Sequence, residues 1–211
     1  MKNKVPKPYV SVLGRPLLVH TLKNLLGAYS FEEVVVLAHK NDVKKTRALL
    51  DRYGLRSVRV APGGSSRADS VRLGLRALRK DSEWILVHDA ARPLVSRAVV
   101  LRTLKAARTS GAALCALPVT ATVKRVDPAR AVVKGTEDRR VLCLAQTPQV
   151  FRKSLLLSRY RILGVRALSA TDEAALFDRG AVRVRVAEGE ARNIKVTLPE
   201  DLRLMEFYLK K

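Results

Sequence analysis

Apolar positions along the first half of the chain fall into two alternating rhythms. Leu18, Leu22, Leu25 and Leu26 recur at the three- and four-residue spacing that lays one stripe along a helix. That spacing predicts a helix over residues 16–29, with Pro16 suited to its first turn. Residues 33–38 form a continuous β-branched run, which predicts a strand buried on both faces. The pair then repeats: a helix over 42–53 with Val43, Leu49 and Leu50 inward, a short strand over 58–61, and a helix over 68–78. A strand from Trp84, a helix over 98–108 and a buried strand over 112–119 follow. Such alternation predicts an α/β fold with a doubly wound, mostly parallel sheet.

Two junctions in this pattern carry chemistry. The run Trp84-Ile85-Leu86-Val87 ends in His88-Asp89-Ala90-Ala91-Arg92-Pro93, and Pro93 cannot continue a ladder. In open α/β sheets ligands bind outside the carboxyl ends of the strands, so Asp89 and Arg92 fall where such a sheet does its chemistry. The bland alternative is an Asp that caps the next helix and an Arg in solvent. Pro62-Gly63-Gly64-Ser65-Ser66-Arg67 joins another strand to a helix. Glycines there let backbone amides approach an anion at the helix amino end. Ser66 with Asp69 resembles a capping box, so a plain capped turn is the other reading. Near the start, Pro6 and Pro8 flank Lys7 and disfavour helix, which predicts an extended segment presenting a cation, or else an ordinary solvated terminus.

The rhythm breaks over residues 120–143. Val123, Val126, Val132 and Val133 are interspersed with Lys124, Arg125, Arg130 and Lys134 around a turn at Asp127-Pro128, which predicts a protruding β-hairpin arm. A lone hairpin is marginal in water, so the arm needs something to pack on, such as another subunit. Gln146-Thr147-Pro148-Gln149 reads as a polar connection into a helix over 152–163. A short helix opening at Thr171-Asp172-Glu173 and running to residue 179, an edge strand over 182–187 and a brief extended piece over 193–196 come next. Thr197-Leu198-Pro199-Glu200 has the form of a capping box opening a last helix to about residue 209. With no linker or repeat, residues 1–211 read as a single domain with the arm inside it.

Composition narrows the function classes. No apolar run approaches a membrane span and no signal peptide is visible. Cys115 and Cys143 give neither metal spacing nor a disulfide framework, so a reducing cytoplasm is the expected compartment. The net charge of +22 invites a nucleic-acid reading. Against it, the basic residues are scattered through every segment and aromatics are only 5%, too few for stacking platforms. A basic surface also attracts nucleotides and sugar phosphates.

A set of short pieces, taken in order, resembles the 2-C-methyl-D-erythritol 4-phosphate cytidylyltransferase family. They are Pro6-Lys7-Pro8-Tyr9, His20-Thr21-Leu22, Gly63-Gly64 with Arg67 and Asp69-Ser70-Val71, and Val87 to Pro93. Further on come Thr122-Val123-Lys124-Arg125, Asp138-Arg139, Gln146 to Gln149, Thr171-Asp172-Glu173, Asn193-Ile194-Lys195 and Pro199-Glu200-Asp201-Leu202. The resemblance implies a Rossmann-like nucleotidyltransferase fold and transfer of CMP from CTP to a sugar-alcohol phosphate, with Mg²⁺ on the triphosphate. It implies that Lys7 and Lys195 hold the α-phosphate, and that Gly64, Ser65, Ser70, Asp89 and Ala90 line the nucleotide side. Arg92, Thr122, Arg139, Thr147 and Lys195 would meet the sugar phosphate. The arm would cross to a second subunit, making a homodimer in which Thr122 and Arg139 serve the partner's site. Pro8, Ala121 and Ser65 depart from the family's usual Gln, Asp and acidic residues. The family also opens with a strand and the loop Ala-Ala-Gly-x-Gly-x-Arg-Met, whose last residue corresponds to Met1, so a chain starting there is expected to bind CTP weakly and turn over little. Ribitol 5-phosphate cytidylyltransferase shares several of these motifs. An inactive remnant with a basic nucleic-acid-binding surface is the reading from another class.

Overall fold

The two rhythms become layered helices and strands because each helical stripe needs a sheet face to bury against. The computed structural model describes residues 6–79 and 81–210. A small antiparallel ribbon, β1 (Ser11–Val12) and β2 (Arg15–Pro16), leads into α1 (Leu17–Ala28). Then come β3 (Val35–Ala38), α2 (Val43–Arg52), β4 (Arg59–Pro62), α3 (Arg67–Ala77), β5 (Trp84–Val87), α4 (Arg97–Ser110) and β6 (Ala112–Pro118). The arm is β7 (Lys124–Asp127) and β8 (Val132–Thr136), an antiparallel pair as the sequence predicts. The chain finishes with β9 (Cys143–Arg152), α5 (Lys153–Leu163), β10 (Arg185–Glu188) and α6 (Pro199–Leu209). Helix ends follow local chemistry: the Val99 amide donates to the Ser96 hydroxyl at the start of α4, and Gly111 ends it at φ +86°.

The larger sheet has the order β10-β6-β9-β5 and is mixed, because β9 runs antiparallel to both neighbours while β10 is parallel to β6. Residues 146–149, expected as a polar connection, instead lie inside β9, where Gln149 faces Val87 of β5 and Leu114 of β6. Their polarity misleads because each side chain bonds inside the protein rather than to water: Gln146 donates to the Glu190 carbonyl (3.0 Å) and Gln149 to Asp172 (2.8 Å). One face of this sheet carries Phe151 stacked on Phe177, with ring centroids 5.4 Å apart, together with Leu75 and Leu156. The other packs Val99, Val100, Cys115 and Ala187.

A second, two-stranded parallel sheet joins β3 to β4. Between β3 and β5 lies an apolar slot of about 590 Å³, lined by Val34, Val36, Leu37, Ile85 and Val87. Among the described residues no strand occupies it, and β3 and β5 each pair on one side only.

Three local expectations need correction. Lys7 begins a 3₁₀ turn, Lys7–Tyr9, rather than an extended segment; only Pro6 before it is extended. The cap of α6 is made by Asp201, not Glu200: its Oδ2 accepts from the Thr197 and Leu198 amides at 2.7 and 2.8 Å. The helix expected after Thr171 shrinks to a 3₁₀ turn, Ala174–Phe177, closed by Gly180 donating back to the Phe177 carbonyl.

Candidate active site

Pairing with β9 fixes β5 up to Val87, and the residues beyond it turn sharply, with the Arg92 amide donating to the Asp89 carbonyl (3.0 Å). His88 Nε2 lies 3.0 Å from the Arg92 carbonyl oxygen, and its Nδ1 lies 3.0 Å from the Thr147 hydroxyl. A carbonyl only accepts, so Nε2 carries the proton and Nδ1 accepts from Thr147. The Thr147 oxygen in turn accepts from the Asp89 amide (3.0 Å). Burial pushes the His88 imidazole down to about 4, against the weaker upward pull of the Arg92 carbonyl and Asp89. His88 is therefore a neutral spacer that sets where Asp89 begins.

Three cations converge on the Asp89 carboxylate. Lys195 Nζ is 2.9 Å and Arg92 Nε 3.7 Å from Oδ2, while Arg67 Nε is 3.6 Å from Oδ1. Burial alone would raise this carboxyl. The Lys195 hydrogen bond and charge, then Arg67 and Arg92, outweigh burial and hold Asp89 below the ordinary carboxylate range. Buried Arg92 donates to the carbonyls of Asn193 (2.7 Å) and Ala145 (3.3 Å), while its Nε finds no hydrogen bond among the described residues. Burial lowers its pKa, and Asp89 only partly offsets this. Arg67 Nη1 donates to both oxygens of Glu173 at 2.8 Å, and the Glu173 side chain is wholly buried. Lys195 stands on the open side, its side chain 45% exposed against 15% for Asp89. Arg67, Arg92 and Lys195 gather against Asp89 and Glu173, with Asp172 also acting on Arg67, and half-exposed Lys195 is the cation that an anionic ligand would reach first.

The adjoining loop, residues 62–67, needs its glycines for close approach: a Cβ on Gly63 would come within 2.9 Å of Ser70 Oγ, and one on Gly64 would collide with the Asp69 carboxylate. Its amides, however, turn inward. Gly63 donates to the Ala38 carbonyl (2.7 Å), Gly64 to Ser70 Oγ (3.0 Å) and Ser65 to Asp69 Oδ2 (3.0 Å). Of the two readings of this loop, the capped turn accounts for these amides. Ser66 accepts from the Asp69 amide (3.1 Å) as a cap should, but Asp69 reaches back to Ser65 rather than Ser66.

The residues singled out in the sequence thus separate. Asp89, Arg92, Thr147 and Lys195 meet in one network, and Ala90 beside them accepts from the Thr21 hydroxyl (2.7 Å). Gly64 and Ser65 lie in the neighbouring loop and Ser70 in the first turns of α3, tied to the network through Arg67. Lys7 is exposed, and its charge acts on Asp201 at the start of α6. Thr122 and Arg139 are exposed on the arm; Arg139 donates to the Thr120 carbonyl (2.6 Å), and no hydrogen bond or ion pair joins either residue to Asp89. Glu173, Gln146, Gln149 and Asn193 carry parts of the site that sequence reasoning left without a role. Glu173 was visible in the sequence as the end of the Thr171-Asp172-Glu173 piece, directly before an apolar Ala-Ala-Leu-Phe run, but nothing there linked it to Arg67. Among the described residues no three His, Cys, Asp or Glu side chains gather as metal ligands would.

A family model, IspD: 2-C-methyl-D-erythritol 4-phosphate cytidylyltransferase, matches residues 1–211. The 2-C-methyl-D-erythritol 4-phosphate cytidylyltransferase of Acidobacterium capsulatum is 38% identical over 210 residues, covering 98% of this chain and 88% of that one. The bifunctional enzyme IspD/IspF of Desulfotalea psychrophila is 38% identical over 211 residues, and the chain spans 54% of its length. The structure of 4-diphosphocytidyl-2C-methyl-D-erythritol synthase from Anaerococcus prevotii superposes with a TM-score of 0.86 at 32% identity, covering 98% of this chain and 91% of that one.

Proposed function

Since the chain belongs to the 2-C-methyl-D-erythritol 4-phosphate cytidylyltransferase family, we propose that the Asp89 cluster is its reaction centre. The chain is a CTP-dependent cytidylyltransferase of isoprenoid synthesis: CMP passes from CTP to 2-C-methyl-D-erythritol 4-phosphate, and pyrophosphate leaves. The acceptor's phosphate oxygen forms a bond to the α-phosphorus as the bond to pyrophosphate breaks. Such transfers depend on positioning and charge stabilisation more than on a covalent nucleophile.

The observation that carries this reading is the half-exposed Lys195 paired with Asp89 at the sheet's carboxyl edge. Lys195 is held ready by Asp89 and exchanges it for the α-phosphate as negative charge develops there, with Lys7 as the second cation. Gly64, Ser65, Ser70, Asp89 and Ala90 face the nucleotide. Arg92 and Thr147, both buried, serve the sugar phosphate by fixing Asp89 and the Asn193 carbonyl. Mg²⁺ arrives on the triphosphate and is part of the substrate. The arm over residues 120–143 pairs two chains into a homodimer, in which Thr122 and Arg139 reach the partner's site. Support for this is the exposure of Val126, Val132 and Val133 on the arm. No described helix is long and apolar enough to cross a membrane, and both cysteines are free, which fits a cytoplasmic enzyme. Pyrophosphate release from CTP tests the reading: methylerythritol phosphate should support turnover and ribitol 5-phosphate should not. Preference for ribitol 5-phosphate would overturn it.

A further inference from the structure

Glu173 lies outside every role assigned so far, yet it is a wholly buried carboxylate one side chain removed from the reaction centre. Its backbone is anchored twice. The Ala174 amide donates to Gln149 of β9 (3.1 Å), and the same Gln149 donates to Asp172 (2.8 Å), which accepts from the Ala175 amide (2.9 Å). Behind it, the Tyr160 hydroxyl of α5 donates to the Ala68 carbonyl at 3.1 Å and lies 3.4 Å from Glu173 Oε1. The carboxylate is thus built on the central strand of the sheet and cannot follow a moving partner.

What it grips is Arg67. Both Glu173 oxygens take the same Nη1, which leaves the Nε edge of the guanidinium turned toward Asp89 at 3.6 Å, beyond a full hydrogen bond. An unrestrained guanidinium facing a carboxylate closes onto it with two parallel bonds. Here that closure is prevented. Asp89 consequently keeps Oδ2 for a full hydrogen bond from Lys195 at 2.9 Å, with Arg92 Nε farther off at 3.7 Å.

We propose that Glu173 is a positioning residue: by holding Arg67 back, it keeps the Asp89 carboxylate divided between Arg67 and Lys195 and so sets Lys195 for the transfer. This rests on the placement of the reaction at Asp89, and Lys195→Ala, assayed beside the other variants, separates the two ideas. If Lys195→Ala retains full activity, the placement itself fails. If Lys195→Ala is inactive while Glu173 variants are normal, only the role of Glu173 fails.

The experiment is steady-state pyrophosphate release by the full chain with CTP and methylerythritol phosphate, with kcat corrected for folded protein by thermal unfolding. Glu173→Gln frees Arg67 to capture Asp89, and kcat should fall about tenfold, the scale of a small misplacement at a reacting centre. KM for CTP should stay within about twofold, because no substrate contact is removed. The double variant Glu173→Gln/Arg67→Ala removes the captor as well, and its kcat should recover above that of Glu173→Gln alone. A merely structural role predicts the reverse order. If Glu173→Gln does not fold, Glu173→Asp carries the test: it keeps the charge but withdraws it by one methylene, and kcat should fall with KM unchanged. An unchanged kcat in the folded variants, or a double variant worse than Glu173→Gln, would overturn the proposal.

Discussion

The carboxyl edge of β5 and the arm of β7 and β8 are both laced with opposite charges, and the distances within them are alike. On the arm, Arg125 meets Glu137 at 3.0 Å and Arg140 meets Asp138 at 2.9 Å; at the edge of β5, Lys195 meets Asp89 at 2.9 Å and Arg67 meets Glu173 at 2.8 Å. Burial separates them. The arm's carboxylates Glu137 and Asp138 are 38% and 46% exposed, whereas Asp89 and Glu173 are 15% and 0%. Water and salt screen the arm's pairs until they contribute little. At β5 the same geometry works in a weaker dielectric, where loss of one partner leaves a charge that nothing compensates. In a chain of net charge +22, density of charge therefore marks no site. Burial of charge does.

Deleting one anion from each region should have the largest and most unequal effects. Asp89→Ala leaves Arg67, Arg92 and Lys195 facing one another, and denaturant unfolding should show a loss of about 3–5 kcal/mol. The matching change on the arm, Asp138→Ala, should leave stability unchanged. Equal effects would mean that burial is not what distinguishes the two regions. Acid is the next probe. The His88 imidazole titrates near 4 in the folded chain against an ordinary 6.5, so between those values the unfolded chain binds the extra proton. Stability is therefore full above 6.5 and declines as the pH falls toward 4, by up to about 3 kcal/mol. Asp89, held below its ordinary range, adds a further loss at still lower pH. Urea unfolding across this window checks both, and a flat profile would contradict the neutral assignment of His88. If the arm pairs two chains as proposed, Val133→Asp should leave a monomer in sedimentation where the parent chain is a dimer, while changing monomer stability by less than about 0.5 kcal/mol.

Most of the first half of the fold is legible in the sequence because its helical stripes and β-branched runs each have one dominant period. That Asp89 and Arg92 gather at one end of β5 was legible too, since both directly follow a buried apolar run. β9 was not, because Gln146, Thr147 and Gln149 look solvated until their buried partners are known. Nor was the pairing of Glu173 with Arg67, which joins positions 106 residues apart. The glycine turn was ambiguous for a different reason: glycines signal close backbone approach, and here what approaches is the protein's own Ser70 and Asp69 rather than an anion. Sequence spacing reports which backbone is permissive; it does not report which donors remain free.

Lys195 is the cation of the cluster that is half exposed and so can exchange its partner for a substrate phosphate. Pyrophosphate release from CTP and methylerythritol phosphate should be measured for Lys195→Ala beside the parent chain, each corrected for folded protein. kcat should fall about a hundredfold or more, as when one group stabilising a transition-state charge is removed. A Lys195→Ala chain that keeps the parent's kcat would contradict this and remove the Asp89 cluster from the reaction.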